Sequence, residues 1–147
     1  MAKLTRLLDR EDEMAKLDRA WEQADRERPQ LAVVWGRRRV GKTFLLSHFT
    51  QHRRAVFFGA TQQAETIELA RLVDATRRDL GDRAADLAGG HFASWEAALR
   101  FFAALASEEP LVLVLDEVPY LAGSTQGFAS VVQAVWDHLP VDTKLML

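Results

Sequence analysis

The sequence predicts an α/β fold, with a parallel sheet, helices on both faces and right-handed crossovers. Three observations predict it. Short apolar, β-rich runs alternate with segments whose apolar residues step by three and four. One run, Leu111-Val112-Leu113-Val114-Leu115, is apolar without interruption, as suits a central parallel strand buried on both faces. A glycine-framed loop, Gly36-Arg37-Arg38-Arg39-Val40-Gly41-Lys42-Thr43, stands between a strand-like run and a helix-like one.

The elements follow in order. Residues 10–28 read as a helix, because Met14, Leu17, Trp21 and Ala24 recur at helical spacing. Asp9 is its candidate N-cap. Glu11 and Glu13 fall in the first turn, Arg26 and Arg28 in the last, and Pro29 ends it. Residues 31–35 form the first strand. A second helix opens at Thr43 and fades near His52, and residues 54–59 form a second strand. Residues 64–80 form another helix, with Ile67, Ala70, Val73 and Leu80 expected inward; Gly81 and Gly89-Gly90 break the chain. Ser94 caps a helix in which Trp95, Leu99, Phe102 and Leu105 share a face, and Pro110 ends that segment. The third strand, residues 111–115, ends at Asp116-Glu117. Pro119, Gly123 and Ser124 mark a loop after it. Phe128, Val131, Val132, Val135, Trp136 and Leu139 give the clearest amphipathic helix, closed by Pro140. Residues 143–147 open a fourth strand. The sequence stops there without a turn or cap, so the expectation is a fragment of a longer protein.

Composition narrows the function classes. The chain has 147 residues, of which 48% are hydrophobic, enough for one ordinary core and too apolar for a disordered chain. A net charge of −2 gives no global basic footprint for nucleic acid. There is no cysteine, which removes disulfides and thiolate zinc sites. The first residues lack the apolar run of a signal peptide, and no run reaches transmembrane length. The expectation is a soluble cytoplasmic protein with no membrane partner. One domain is expected over 1–147, comprising an N-terminal helical segment (1–29) and an incomplete core (30–147).

The loop matches G-x-x-x-x-G-K-[ST], and each residue type has a physical reason. Gly36 and Gly41 let the backbone turn and approach a phosphate without a Cβ in the way. The N–H groups through Arg37, Arg38, Arg39 and Val40 form an anion nest, continued by Phe44 in the following turn. Lys42 supplies a cation for the β/γ-phosphates, and the Thr43 hydroxyl suits Mg²⁺. The helix opening at Thr43 favours the same negative charge. The three arginine side chains are read as solvated or touching a neighbouring domain. Asp116 follows its strand as a metal-holding carboxylate does, and Glu117 is placed to orient and activate a water.

Together these motifs resemble the P-loop NTPases of the additional-strand, catalytic-glutamate division. Within it the chain is similar to AAA+/STAND-like ATPases, particularly the archaeal-type ATPase family also found in bacteria. The residues that carry the resemblance are the loop Gly36 to Thr43 and the run Leu115-Asp116-Glu117-Val118-Pro119-Tyr120-Leu121. Leu8-Asp9-Arg10-Glu11-Asp12-Glu13 also looks like the family's apolar-then-Arg-Glu box over the adenine, although the family usually has glycine where Asp9 stands. The resemblance implies a three-layer fold with strands in the order five, one, four, three, two. The resemblance then implies a chain truncated before strand five and the helical lid, with strand one as an exposed edge. It also implies ATP and Mg²⁺ as cofactors, Thr43 and Asp116 on the metal, Lys42 and Glu117 as catalytic residues, and Arg10 at the nucleotide.

The function expected from this is Mg-ATP binding, with hydrolysis driving a conformational change in a longer protein. An arginine finger, worth on the order of 10³–10⁵ in rate in related NTPases, has no candidate here, so this segment is expected to bind ATP and hydrolyse it slowly or not at all. Two alternatives belong to other classes. One is a regulatory nucleotide switch with negligible turnover that works through protein partners or self-association. The other is a DNA-associated helper ATPase whose nucleic-acid contacts lie in regions outside this chain. The absence of an Asn-Lys-x-Asp motif argues against a GTPase. His48 and His52 are read as helix surface, Gln62 and Gln63 as loop, and Trp21, Trp95 and Trp136 as core or interface. Trp35 is placed to brace the loop.

Overall fold

The computed structural model describes residues 11–34 and 41–147. Helix α1 (Glu11–Arg26) carries three acidic residues in its first turn and Arg26 in its last, matching the helix dipole at both ends. Helix α2 (Lys42–Thr50) leads into strand β1 (Ala55–Gly59). Helix α3 (Glu65–Leu80), the short α4 (Asp82–Leu87) and α5 (Trp95–Leu105) follow, then strand β2 (Leu111–Asp116). Helices α6 (Val118–Ser124) and α7 (Phe128–Asp137) precede strand β3 (Leu145–Met146).

The sheet order is β1-β2-β3, all parallel. Beyond β3 the chain around Gln30 adds a parallel bridge to Met146. Gln30 N–H donates to Leu145 O, Leu147 N–H to Gln30 O and Ala32 N–H to Leu147 O. In chain order the ladder therefore runs second, third, fourth, first strand, the order the family resemblance implies for those four.

Strand alternation divides the core between the two faces. Leu111 and Leu113 of β2 face one side with Val56, Phe58 and Leu145, covered by α3, α4, α5 and α7. Val112 and Val114 face the other with Met146, covered by Leu17 and Ala24 of α1 and Leu45 and Phe49 of α2. This is a three-layer α/β/α arrangement. Aromatic rings weld the larger layer. Trp95 meets Phe58 and Phe128 edge-on, with centroids at 5.9 and 5.4 Å. On the opposite face Arg53 joins α1 to α2. Its guanidinium donates to Phe49 O and to Asp18 (2.6 Å) and lies over the Phe49 ring.

Several sequence expectations change here. The first helix ends at Arg26, so Arg28 lies beyond it. Of the first strand expected over 31–35, Trp35 lies outside the described residues; residues 31–34 form no regular strand and join the sheet through Ala32 N–H, beside the bridge from Gln30 to Met146. In α3 the inward stripe is Leu69, Leu72, Val73, Ala75 and Thr76, whereas Ile67 and Ala70 are exposed. Leu69, Leu72, Val73 and Thr76 have i, i+3, i+4, i+7 spacing and form the face that meets the core, with Glu68 buried beside them. Gly81 and Gly89 bracket a short helix where only a break was expected. The loop expected at Pro119, Gly123 and Ser124 is helix α6, since Pro119 lies in its first turn, where an N–H has no partner within the helix and a fixed φ is compatible with it. The last strand is confined to Leu145–Met146.

Ser94 does cap α5, its Oγ accepting from Ala97 N–H at 3.1 Å. Ser94→Ala is expected to destabilise the chain by about 1 kcal/mol in urea unfolding. Phe102→Ala, at a fully buried ring, is expected to cost about 3–5 kcal/mol.

Candidate functional site

The amino end of α2 and the carboxyl ends of β1 and β2 converge on one side of the sheet. Gly41 precedes α2 in a left-handed conformation (φ 86°), which a residue with a Cβ adopts only at a cost. Its carbonyl accepts the first helical hydrogen bond, from Leu45 N–H. No side chain caps this end, and the first turn holds no acidic residue. The turn's orphan N–H groups and its dipole therefore suit an external anion. Lys42 opens the helix and is half-buried. Phe44, also half-buried, stacks on the His48 ring with centroids 6.5 Å apart.

Thr43, exposed on the first turn, donates its hydroxyl to Asp116 Oδ2 at 2.7 Å. These residues lie 73 positions apart and come together only because β2 ends beside the start of α2. A hydroxyl and a carboxylate are hard oxygen donors. Among the described residues no group of three or more His, Cys, Asp or Glu could hold a metal. Two protein oxygens suit Mg²⁺, which keeps several waters and takes phosphate oxygens for the rest of its octahedron.

Asp116 does more than meet Thr43. Its other oxygen, Oδ1, accepts from Glu117 N–H at 3.0 Å, and its backbone carbonyl accepts from Ala60 N–H at 3.0 Å. Glu117 is the only described non-glycine residue with positive φ, at φ 60° and ψ 44°. A left-handed conformation costs an L-residue roughly 1–2 kcal/mol. Such strain gathers where geometry serves function. The bend turns the chain sharply from β2 into α6, and Glu117 O receives Tyr120 N–H at 3.0 Å.

Of the residues singled out from sequence, Gly41, Lys42, Thr43 and Phe44 share one helical turn with its cap, and Asp116 is hydrogen-bonded to Thr43. Gly36, Arg37, Arg38, Arg39, Val40 and Arg10 lie outside the described residues, as do Asp9 and Trp35. Gln62 and Gln63 are exposed in the turn after β1. Sequence reasoning missed a buried set beside that turn. Glu68, fully buried, accepts from Thr61 N–H and Oγ1 and pairs with Arg71 at 3.2 Å. The available signal was a glutamate adjoining the apolar stripe of α3. A hollow of about 470 Å³ lies at the opposite end of the sheet, between Arg54, Leu80, Leu87 and Leu105. Arg83, Glu108 and Glu109 also line it, but it contains none of the motif residues, so chemistry and not cavity size marks the site.

Relief of strain gives a direct check on Glu117. Glu117→Gly is expected to raise stability by about 0.5–1 kcal/mol in urea unfolding, the left-handed penalty less glycine's extra chain entropy. Glu117→Ala, which keeps the penalty, is expected to give no such gain.

No curated protein matches the chain. The family model of the AAA ATPase domain matches residues 6–134, from ahead of α1 into α7. That span contains the glycine loop, the Thr43–Asp116 pair and all of β2, and the chain belongs to the AAA ATPase domain family.

Proposed function

We propose that the chain binds Mg-ATP at the amino end of α2 and the carboxyl end of β2, as the nucleotide-binding part of an ATPase. The observation that carries this reading is the hydrogen bond from Thr43 to Asp116. It joins the two residues that would share the metal, one from each motif. In this reading residues 36–41 cradle the phosphates with backbone N–H groups and Lys42 neutralises the β/γ-phosphates. When bound, Mg²⁺ supplies charge neutralisation between the phosphate oxygens, with Thr43 and Asp116 as its protein donors. Glu117 accepts a proton from the attacking water, and its bent backbone sets it just past Asp116. Arg10 and Phe44 flank the nucleotide.

The chain is further read as one nucleotide-binding domain over 1–147, within the archaeal-type, STAND-like branch. The motif run through Leu115 to Leu121 supports that branch, and it ties nucleotide state to a conformational change. A switch that holds nucleotide with negligible turnover is distinguished by Glu117, since its removal would leave such a protein's turnover unchanged.

Calorimetric titration with ATP and GTP in Mg²⁺ tests the site. The expected result is ATP binding that Lys42→Ala weakens by about 1.5–3 kcal/mol, roughly ten- to a hundred-fold. Binding that ignores Lys42 in a folded variant would overturn the phosphate role. In a turnover assay of the ATPase, Glu117→Gln is expected to lower the rate by about 10²–10⁴ with ATP affinity retained. Equal turnover would remove the general-base assignment.

A further inference from the structure

Among the described residues strand β1 is an edge of the sheet, and α3 seals that edge. In a parallel ladder alternate residues bond to opposite sides. Val112 N–H reaches Arg54 O and Ala60 N–H reaches Asp116 O, so even-numbered residues of β1 bond to β2 and odd-numbered ones point outward. Side chains of α3 meet the outward groups. Asp79 accepts from Phe57 N–H at 2.8 Å, and Arg78 donates to Phe57 O at 2.7 Å. The hydrogen bond and charge of Asp79 raise the pKa of Arg78 above its usual value, burial opposing them. Glu68 accepts from Thr61 N–H at 3.2 Å and from Thr61 Oγ1 at 2.7 Å.

Glu68 stands apart from the other two. Arg78 and Asp79 are partly exposed, whereas Glu68 is 0% exposed. A carboxylate withdrawn from water is unfavourable unless it is paired and hydrogen-bonded. Here the compensation comes from two donors of Thr61 and from Arg71, whose guanidinium lies 5.3 Å from the Phe58 ring centroid. Closing an edge does not require a buried charge, as Phe57 shows. The distinctive property of Thr61 is its position: it follows Ala60, whose N–H holds the Asp116 carbonyl, and Gly59 faces Asp116 across the ladder.

We propose that Glu68, with Arg71 as its counter-ion, is a positioning residue for the metal end of the nucleotide site. Through Thr61 it fixes the carboxyl end of β1. That end braces the Asp116–Glu117 peptide, so the Asp116 carboxylate stays directed at Thr43. The inference rests on the reading of Thr43 and Asp116 as the Mg-nucleotide site. It predicts that loosening Thr61 harms the metal-dependent part of binding and spares the part made by residues 36–42.

The test is ATP affinity measured twice, with Mg²⁺ and with EDTA, for the parent chain, Thr61→Val and Glu68→Gln, with circular dichroism confirming folding. The Mg²⁺ enhancement of ATP affinity is the readout, because an overall loss of stability does not alter that ratio in a folded protein. Thr61→Val is expected to shrink the enhancement about tenfold, the worth of one hydrogen bond, with affinity in EDTA within twofold. Glu68→Gln is expected to do the same or more. Thr61→Val keeps the buried carboxylate and so remains informative should Glu68→Gln fail to fold. An unchanged enhancement in folded Thr61→Val would overturn the proposal while leaving the nucleotide site intact. A parent chain without Lys42-dependent ATP binding would overturn the nucleotide reading and this inference together.

Discussion

Strand β2 is bonded on both edges and buried on both faces, and the rest of the structure is arranged to make that possible. Its backbone groups pair with β1 and β3, and Leu111 to Val114 are all buried. A parallel strand of this kind cannot be completed by hairpins. Each neighbour must arrive by a crossover, and the crossovers are the helices that cover the faces. Leu111 and Leu113 require the layer of α3, α5 and α7, and Val112 and Val114 require α1 and α2. The same constraint fixes where chemistry sits. Loops leaving the carboxyl ends of parallel strands are free of the crossover packing, so polar side chains gather there.

At that end the local terms run against stability. Glu117 is held in a left-handed conformation, Glu68 is buried as a carboxylate, and the start of α2 has no side-chain cap. Each feature has a cheaper local solution: glycine at the bend, an apolar residue in the core, serine or aspartate at the cap. None of these is found, while Ser94 caps α5, where no such chemistry competes. The contrast separates a helix end capped by its own side chain from one whose orphan N–H groups suit an anion.

The layer architecture was legible because it depends on patterns that local sequence carries. The unbroken run Leu111 to Leu115 announces a strand buried on both faces, and the spacing of Phe128, Val131, Val135 and Trp136 announces a helix covering one of them. The Thr43–Asp116 pairing was legible only as two motifs that a common fold would bring together. What could not be read has physical causes. In α3 two apolar registers overlap at Val73, Ile67 with Ala70 and Leu69 with Leu72, and spacing alone does not choose between them; the buried Glu68, bonded to Thr61 and Arg71, lies on the side of the second. Helix α6 was hidden because Pro119 and Gly123 signal loops on average, though proline is compatible with a first helical turn. Residues 31–34 have the β-rich composition of a strand, but strand length depends on neighbours, and the ladder that Gln30 and Ala32 join at Met146 and Leu147 is short.

The two sides of β2 impose different degrees of freedom on the site. Thr43 is fixed from one side by α2, a helix packed on the sheet through Leu45 and Phe49. Asp116 is fixed from the other by β1, an edge strand with no further strand beyond it among the described residues. An edge strand is held by fewer backbone hydrogen bonds than a central one and opens more readily. A carboxylate braced by such a strand would inherit that freedom unless something replaced the missing neighbour. Helix α3 does so with three side chains, and the one nearest Asp116 along the strand is the one buried completely. Thus a carboxylate that is unfavourable for the core is consistent with the geometry of the site. Its charge restores, at Thr61, the lateral hold that a central strand would receive from its neighbour.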